Sequence, residues 1–231
     1  MQEQSFDRFY EKCLGIGSGI AQKEIIFCES RYRELPINKR YYYETIATIY
    51  QGQKIISTTA DRLVLTEQFS IESEEYFKML EGKQKSVSPN EKEINRSERV
   101  WEECCMYRMV LRRHQKLWDN SRQISPQVNC EFIYLEKQKK YMAVLGETII
   151  GYCKISDIIE GFGNIVVWVE GTYRRRKVAT SLLALLLQRC VKEKIIPMYY
   201  VKADNLPSIR LASSAGFEIM QKEAVRKYEV K

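Results

Sequence analysis

The sequence predicts an α/β chain of α+β character, and three observations predict it. Runs rich in β-branched and aromatic residues fold back at single glycines, as in TIATIYQGQKIIS and YMAVLGETIIGYCKIS. Elsewhere the apolar spacing is helical, as at Val178, Leu182, Leu183, Leu186, Cys190 and Val191. The run NIVVWV, residues 164–169, is almost entirely apolar, the pattern of a strand buried on both faces.

Taken in order, residues 5–14 read as a short helix and 24–28 as a strand. Residues 43–59, with Gly52 at the centre, read as a hairpin, and 70–80 as a polar helix. The turn signal Ser88-Pro89-Asn90 marks a boundary within 83–93. From 93 to 119 the spacing of Val100, Cys104, Tyr107, Val110 and Leu111 predicts a long amphipathic helix, closed off by Ser125-Pro126. Two regions are therefore expected: 1–125, of unassigned role and ending in that helix, and 126–231. The second opens with strands at 132–135, 141–145 and 148–155, the last two hinged at Gly146. After the 164–169 strand come a turn at Gly171, a helix over 177–194 and a strand over 197–202. A helix over 205–215 is stopped by Gly216, and strands at 217–220 and 226–230 close the chain.

Composition narrows the class. With 231 residues, 45% hydrophobic and 29% charged, the chain can bury a core and is not a disordered tract. No apolar run approaches the roughly 20 residues that span a bilayer, and MQEQSFDRFYEK lacks the apolar core of a signal peptide. No membrane partner is expected. Seven cysteines (13, 28, 104, 105, 130, 153 and 190) include no CxxC pair, and His114 is the sole histidine. Reduced thiols in a cytoplasmic protein are expected, with no metal site. The net charge of +7 fits nucleic acid, a membrane surface or a small polyanion. Its one dense run is Arg174-Arg175-Arg176-Lys177.

That run sits where an apolar strand turns into a helix. The first amides of a helix have no intrahelical acceptor, and the macrodipole is positive there, so such a turn holds phosphate. Guanidinium groups beside those amides add charge-assisted hydrogen bonds. The same pattern also occurs as a plain solubilising cap.

The residues in this turn carry a family resemblance. EGTYRRRKVATSLL, residues 170–183, resembles the acetyl-CoA motif of the GNAT acetyltransferases, with Arg174 on its first Gln-or-Arg position and Ala179 on its last Gly-or-Ala position. NLPSIRLASSAGFE, residues 205–218, resembles the second GNAT signature, and the two stand in the family's order and separation. The resemblance covers about residues 130–231, and RCVKEKIIPMYYVKADNLPSIRLASSAGFE looks most like the bacterial branch that includes zwittermicin A resistance proteins. It implies a mixed, mostly antiparallel central sheet flanked by helices, here with an extra N-terminal α/β region.

For the site, the resemblance implies acetyl-CoA as co-substrate and no metal. The pantetheine arm would lie along Val167, Trp168 and Val169, where a backbone N–H polarises the thioester carbonyl. The pyrophosphate would rest on the amides of Arg175, Arg176, Lys177, Val178, Ala179 and Thr180, beside Arg174. Asn205 and Ser208 would meet the arm, although Asn and Ser also serve as plain helix caps. Three positions depart from the family. Its central glycine is Lys177, its helical tyrosine acid is Ala212, and the glutamate opening its buried strand is replaced by Gly163-Asn164. Glu170 is the first choice for a base and Tyr200 for a proton carrier; Asp157, Glu160 and Tyr199 are alternatives, each with a structural reading as well.

Three functions follow for comparison. The leading one is N-acetylation of a primary amine, on a small molecule or a peptide. The second is a GNAT-like module that binds CoA with little or no catalysis, which Lys177 and Ala212 favour. The third is nucleic-acid binding, which needs a basic face with exposed aromatics; the only dense basic run is already used, so no nucleic-acid partner is expected. Homodimerisation is left open.

Overall fold

A computed structural model describes residues 2–17, 24–37, 40–63, 66–83, 101–111 and 126–229. The turn at Ser88-Pro89-Asn90, His114 and Ser125 lie outside the described residues. The chain forms two compact units. The first comprises 1–108, 202–204 and 220–231; the second comprises 109–201 and 205–219.

The first unit begins with helix α1 (Gln2–Leu14). It buries Phe6, Phe9, Tyr10, Cys13 and Leu14, the i, i+3, i+4, i+7, i+8 stripe of a one-sided helix. Strand β1 (Ile25–Glu29) runs parallel to β3 (Gln53–Thr58), which is antiparallel to β2 (Tyr41–Tyr50). The β2–β3 hairpin turns at Gln51 and Gly52, both with positive φ (49° and 78°), as a tight two-residue turn requires. Short helix α2 (Ala60–Leu63) leads into α3 (Thr66–Leu80), whose Tyr76, Phe77 and Met79 pack on Ala47, Ile56 and Ala224.

Strand β4 (Trp101–Leu111) stands where the middle of the long helix over 93–119 was expected; the rest of that stretch lies outside the described residues. The 3.6-residue spacing of its apolar positions was one of two patterns present. The operative one has period two over the first part of the strand: Cys104, Met106 and Arg108 are buried with half-exposed Cys105 and Tyr107 between them, and from Arg108 to Leu111 every residue is buried. Strand β10 (Phe217–Glu229) is likewise one long strand where two were expected. It bends at a register shift between Arg226 and Lys227 while pairing antiparallel with β2. Strand order in this unit is β1-β3-β2-β10-β4.

The second unit holds β5 (Glu131–Leu135), β6 (Lys140–Leu145), β7 (Thr148–Ile159) and β8 (Phe162–Val169), an antiparallel meander. Helix α4 (Val178–Lys192) crosses it, β9 (Ile196–Lys202) lies parallel beside β8, and α5 (Leu206–Ser214) follows. The order is β9-β8-β7-β6-β5. The fold is thus mixed α/β with a mostly antiparallel sheet and few helices. Helix α4 buries Val178, Leu182, Leu183, Leu186, Leu187 and Cys190, the face predicted from sequence except for Val191, which is 53% exposed. Gly151 admits the helix: a Cβ there would stand 3.0 Å from the Trp168 carbonyl oxygen and 3.3 Å from Leu182. Among the described residues no helix is long and apolar enough to cross a membrane.

Candidate active site

Strand β8 pairs with β9 only from Phe162↔Ile196 to Asn164↔Met198. Beyond Asn164 its backbone on that side has no strand partner among the described residues. The Glu170 N–H donates to the Ile150 carbonyl of β7 (3.0 Å), so alternation turns the backbone groups of Val167 and Val169 away from β7, toward the unpaired side. This half of β8 is not buried on both faces, as the sequence led us to expect. Trp168 is 40% exposed, its ring stacked on Tyr152 at 5.6 Å. The strand loses cover because its neighbour diverges.

The chain then makes a 3-10 turn (Gly171–Tyr173) and enters α4. Arg174 Nε donates to the Val169 carbonyl (3.1 Å), which fixes the turn to the strand end. Arg175 and Lys177 both take left-handed backbone conformations, φ 60° and 62°. Lys177 is the N-cap of α4 and makes no side-chain cap hydrogen bond. The opening amides of α4 therefore receive no cap from it and face outward at the positive end of the dipole.

A groove of about 670 Å³ opens there. Its floor is Val167, Trp168 and Val169; one wall is Arg174, Arg175, Lys177, Val178, Ala179 and Thr180; the other is Asn205 and Ser208 from the start of α5. Of the residues expected to contact the cofactor, only Arg176 does not line this groove. Its guanidinium lies over the Tyr173 ring (5.9 Å), and its carbonyl accepts from the Gln127 N–H (2.9 Å). Tyr173, Pro207 and Leu211 also line the groove and were not anticipated; each sits within a motif whose signal lay in its neighbours. The groove's lining carries cations and no carboxylate, so it suits an anion. Asn205 Oδ1 accepts from the Ser208 N–H (3.3 Å), so the carboxamide caps α5; that cap leaves its Nδ2 donor unused.

Residues 99–217 match the acetyltransferase (GNAT) family. The chain belongs to this family. Among solved structures it is similar to a GNAT-family acetyltransferase of Novosphingobium aromaticivorans, at 11% identity over 58% of this chain and 75% of that one, TM-score 0.44. A GCN5-related N-acetyltransferase of Sphaerobacter thermophilus aligns at 14% identity over 75% of this chain and 57% of its own length, TM-score 0.45. An acetyltransferase from Salmonella typhimurium, solved with acetyl-CoA, aligns at 14% identity over 40% and 64%, TM-score 0.34. No curated protein matches the chain.

GNAT proteins bind acetyl-CoA, and the groove fits it: a strand edge with no strand partner among the described residues for an amide-bearing arm, then uncapped helix amides among cations for a pyrophosphate. Lys177, at the position the motif resemblance gives to glycine, has the left-handed backbone that glycine favours. Left-handed backbone costs a β-carbon residue about 1–2 kcal/mol, and glycine returns somewhat less than 1 kcal/mol of that as unfolded-state entropy. Lys177→Gly is therefore expected to stabilise the protein by about 0.5–1 kcal/mol, read from urea unfolding.

The expected catalytic residues lie apart. The Glu170 carboxylate accepts from the Thr172 hydroxyl and from the Thr172 N–H (2.9 Å), capping the 3-10 turn. The Thr172 hydroxyl, then its own desolvation working the other way and the Thr172 amide, leave its carboxyl below the ordinary carboxylate range. Such a group holds its charge and is a weak base. By register with Asn164↔Met198, Tyr200 shares a sheet face with Asn164 and is half-buried. Tyr199, on the opposite face, is buried against Phe217 (5.1 Å), and burial raises its phenol well above the usual value. Asp157 falls at a register shift of β7, and Glu160 in the turn before β8 with φ 50°. Asn164 Nδ2 donates to Ser156 Oγ (3.1 Å), and its buried Oδ1 has no hydrogen-bond partner among the described residues. Ala212 is fully buried. Among the described residues no group of three or more His, Cys, Asp or Glu is placed to hold a metal ion.

Proposed function

We propose that the chain transfers an acetyl group from acetyl-CoA to a primary amine. The observation that carries this reading is the juxtaposition, in one groove, of the Val167 and Val169 backbone, which has no strand partner on that side among the described residues, with the uncapped, cation-flanked start of α4. When bound, acetyl-CoA supplies an activated acetyl group: the amine nitrogen forms the new N–C bond as the C–S bond breaks, and the proton lost by nitrogen ends on sulfur. The chain's part is placement. The amides of Val178, Ala179 and Thr180 and the side chains of Arg174, Arg175 and Lys177 hold the anionic end. The Val167 and Val169 backbone holds the arm and presents an N–H to the reacting carbonyl.

Tyr200 is the proposed proton carrier, because it lies on the half-open face beside β8. A second reading, a CoA-binding module with weak catalysis, draws support from the engagement of Glu170 as a cap and from Ala212 at the usual acid position. Seven free thiols favour a reducing compartment, hence the cytoplasm. The resemblance of residues 189–218 to the zwittermicin A resistance branch supports placing the chain near that branch. We expect no nucleic-acid or membrane partner, and we leave homodimerisation to sizing experiments.

Calorimetry with acetyl-CoA, followed by thiol release over an amine panel, tests the reading. Binding with release on at least one amine supports transfer; binding with none supports the module; no binding overturns both. Activity should rise with pH as the ammonium of the acceptor loses its proton. Glu170 keeps one charge state above about pH 5, its carboxyl being shifted downward. Glu170→Gln should therefore leave the shape of the pH–rate profile unchanged, and loss of a limb between about pH 5 and 8 would assign Glu170 the base role.

A further inference from the structure

The face of the second unit opposite α4 carries an ordered row of side chains. Cross-strand register places Ile133 opposite Met142, Met142 opposite Tyr152, and Tyr152 opposite Trp168. Such partners share a face with Cβ atoms about 5 Å apart. This is the face away from the helix, since the alternating residues Gly151, Cys153 and Ile155 are buried and Gly151 abuts Leu182 of α4. Trp168 and Ile133 remain 40% exposed, and Met142 and Tyr152 are half-buried. The adjoining row pairs Lys140 with Lys154, and Lys154 with Val166. Lys140 Nζ stands 4.5 Å from the centroid of the Tyr152 ring. Neither lysine forms an ion pair among the described residues.

This face continues the groove. Trp168 belongs to both, lying between Val167 and Val169 on the strand that would hold the arm. An acceptor cannot approach the strand from the other side, where Val169, Cys153, Ile155 and Ile165 are buried. The open side therefore offers an aromatic platform next to the reacting end and, one row along, about 7 Å away at two residues' rise, two lysines without a carboxylate partner among the described residues.

We propose that the acetyl acceptor is a primary amine bearing an aromatic ring and an acid group, its ring packed on the exposed Trp168, which Tyr152 backs, and its acid received by Lys140 and Lys154. The proposal rests on the acetyltransferase reading. The platform selects a planar apolar body through area and ring stacking. The lysines select the anion and orient the ring so that the amine points to the strand edge. A neutral aromatic amine would bring no anion to either lysine.

The test uses the full chain and begins with an acetyl-CoA titration, whose failure would remove the parent reading and this one with it. With CoA bound, phenylalanine and phenylalaninamide are then titrated calorimetrically. Phenylalanine should bind roughly tenfold more tightly, two half-exposed charge contacts supplying the difference. The Lys140→Gln/Lys154→Gln double variant should lose that preference, and the Lys140→Arg/Lys154→Arg variant should retain it. Equal affinity for the two ligands, binding of neither, or a preference that survives the glutamine pair would each overturn the proposal while leaving the acetyl-CoA site standing.

Discussion

Ala179→Glu is expected to abolish acetyl-CoA binding while leaving the fold intact or slightly firmer. Ala179 is half-buried in the first turn of α4 and lines the groove between Val178 and Thr180. A carboxylate in that turn interacts favourably with the helix dipole, by about 0.3–1 kcal/mol. The same carboxylate stands where a pyrophosphate would. Like charges about 4 Å apart near a protein surface repel by about 4 kcal/mol, which corresponds to a loss of more than 100-fold in affinity. Stability and binding thus move in opposite directions, and general damage to the fold cannot produce that pattern. Ala179→Gln separates bulk from charge and should lose far less affinity. Calorimetry with acetyl-CoA beside urea unfolding reads both quantities. Retention of wild-type affinity in Ala179→Glu would place the anion elsewhere and remove the basis for reading this groove as the cofactor site.

The cofactor groove was legible in the sequence because its signal is local. A strand, a turn and a helix start lie within 164–183, and nearly every residue of that stretch expected to contact the cofactor lines one groove. What was not legible is conformation and contact. The left-handed backbone at Arg175 and Lys177 follows from the turn, since nothing in a run of cations demands it. Glu170 read as a base because it adjoins the reacting strand, but its partner Thr172, two residues on, makes it a cap. Strand β4 was misread for a longer-range reason. Arg108 counts as polar in any periodicity, which breaks the period-two pattern and leaves the helical one. It is in fact buried, because Glu223 reaches it across 115 residues of chain. The aromatic row Ile133–Met142–Tyr152–Trp168 was hidden likewise, since only the register of four strands brings it together.

That buried pair carries the second large effect. Arg108 Nε donates to Glu223 Oε1 at 2.8 Å and Nη2 to Oε2 at 3.2 Å, a two-point contact with side chains 3% and 0% exposed. The guanidinium carbon also lies 5.7 Å from the Phe9 ring centroid and 5.5 Å from that of Tyr10, so the pair joins β4 and β10 to α1. Removing one partner leaves the other charged in a site water does not reach. Glu223→Gln or Arg108→Met is therefore expected to destabilise the first unit by about 3–5 kcal/mol, seen as a lower urea midpoint. The pair itself need not be a net source of stability, because desolvating both groups costs about as much as their attraction returns. Arg108→Met with Glu223→Leu should accordingly recover most of the loss, since methionine and leucine fill the space between Phe9 and Tyr10 without an orphaned charge. If the double variant were as unstable as either single one, the hydrogen-bonded geometry rather than charge balance would be what holds α1 against the sheet.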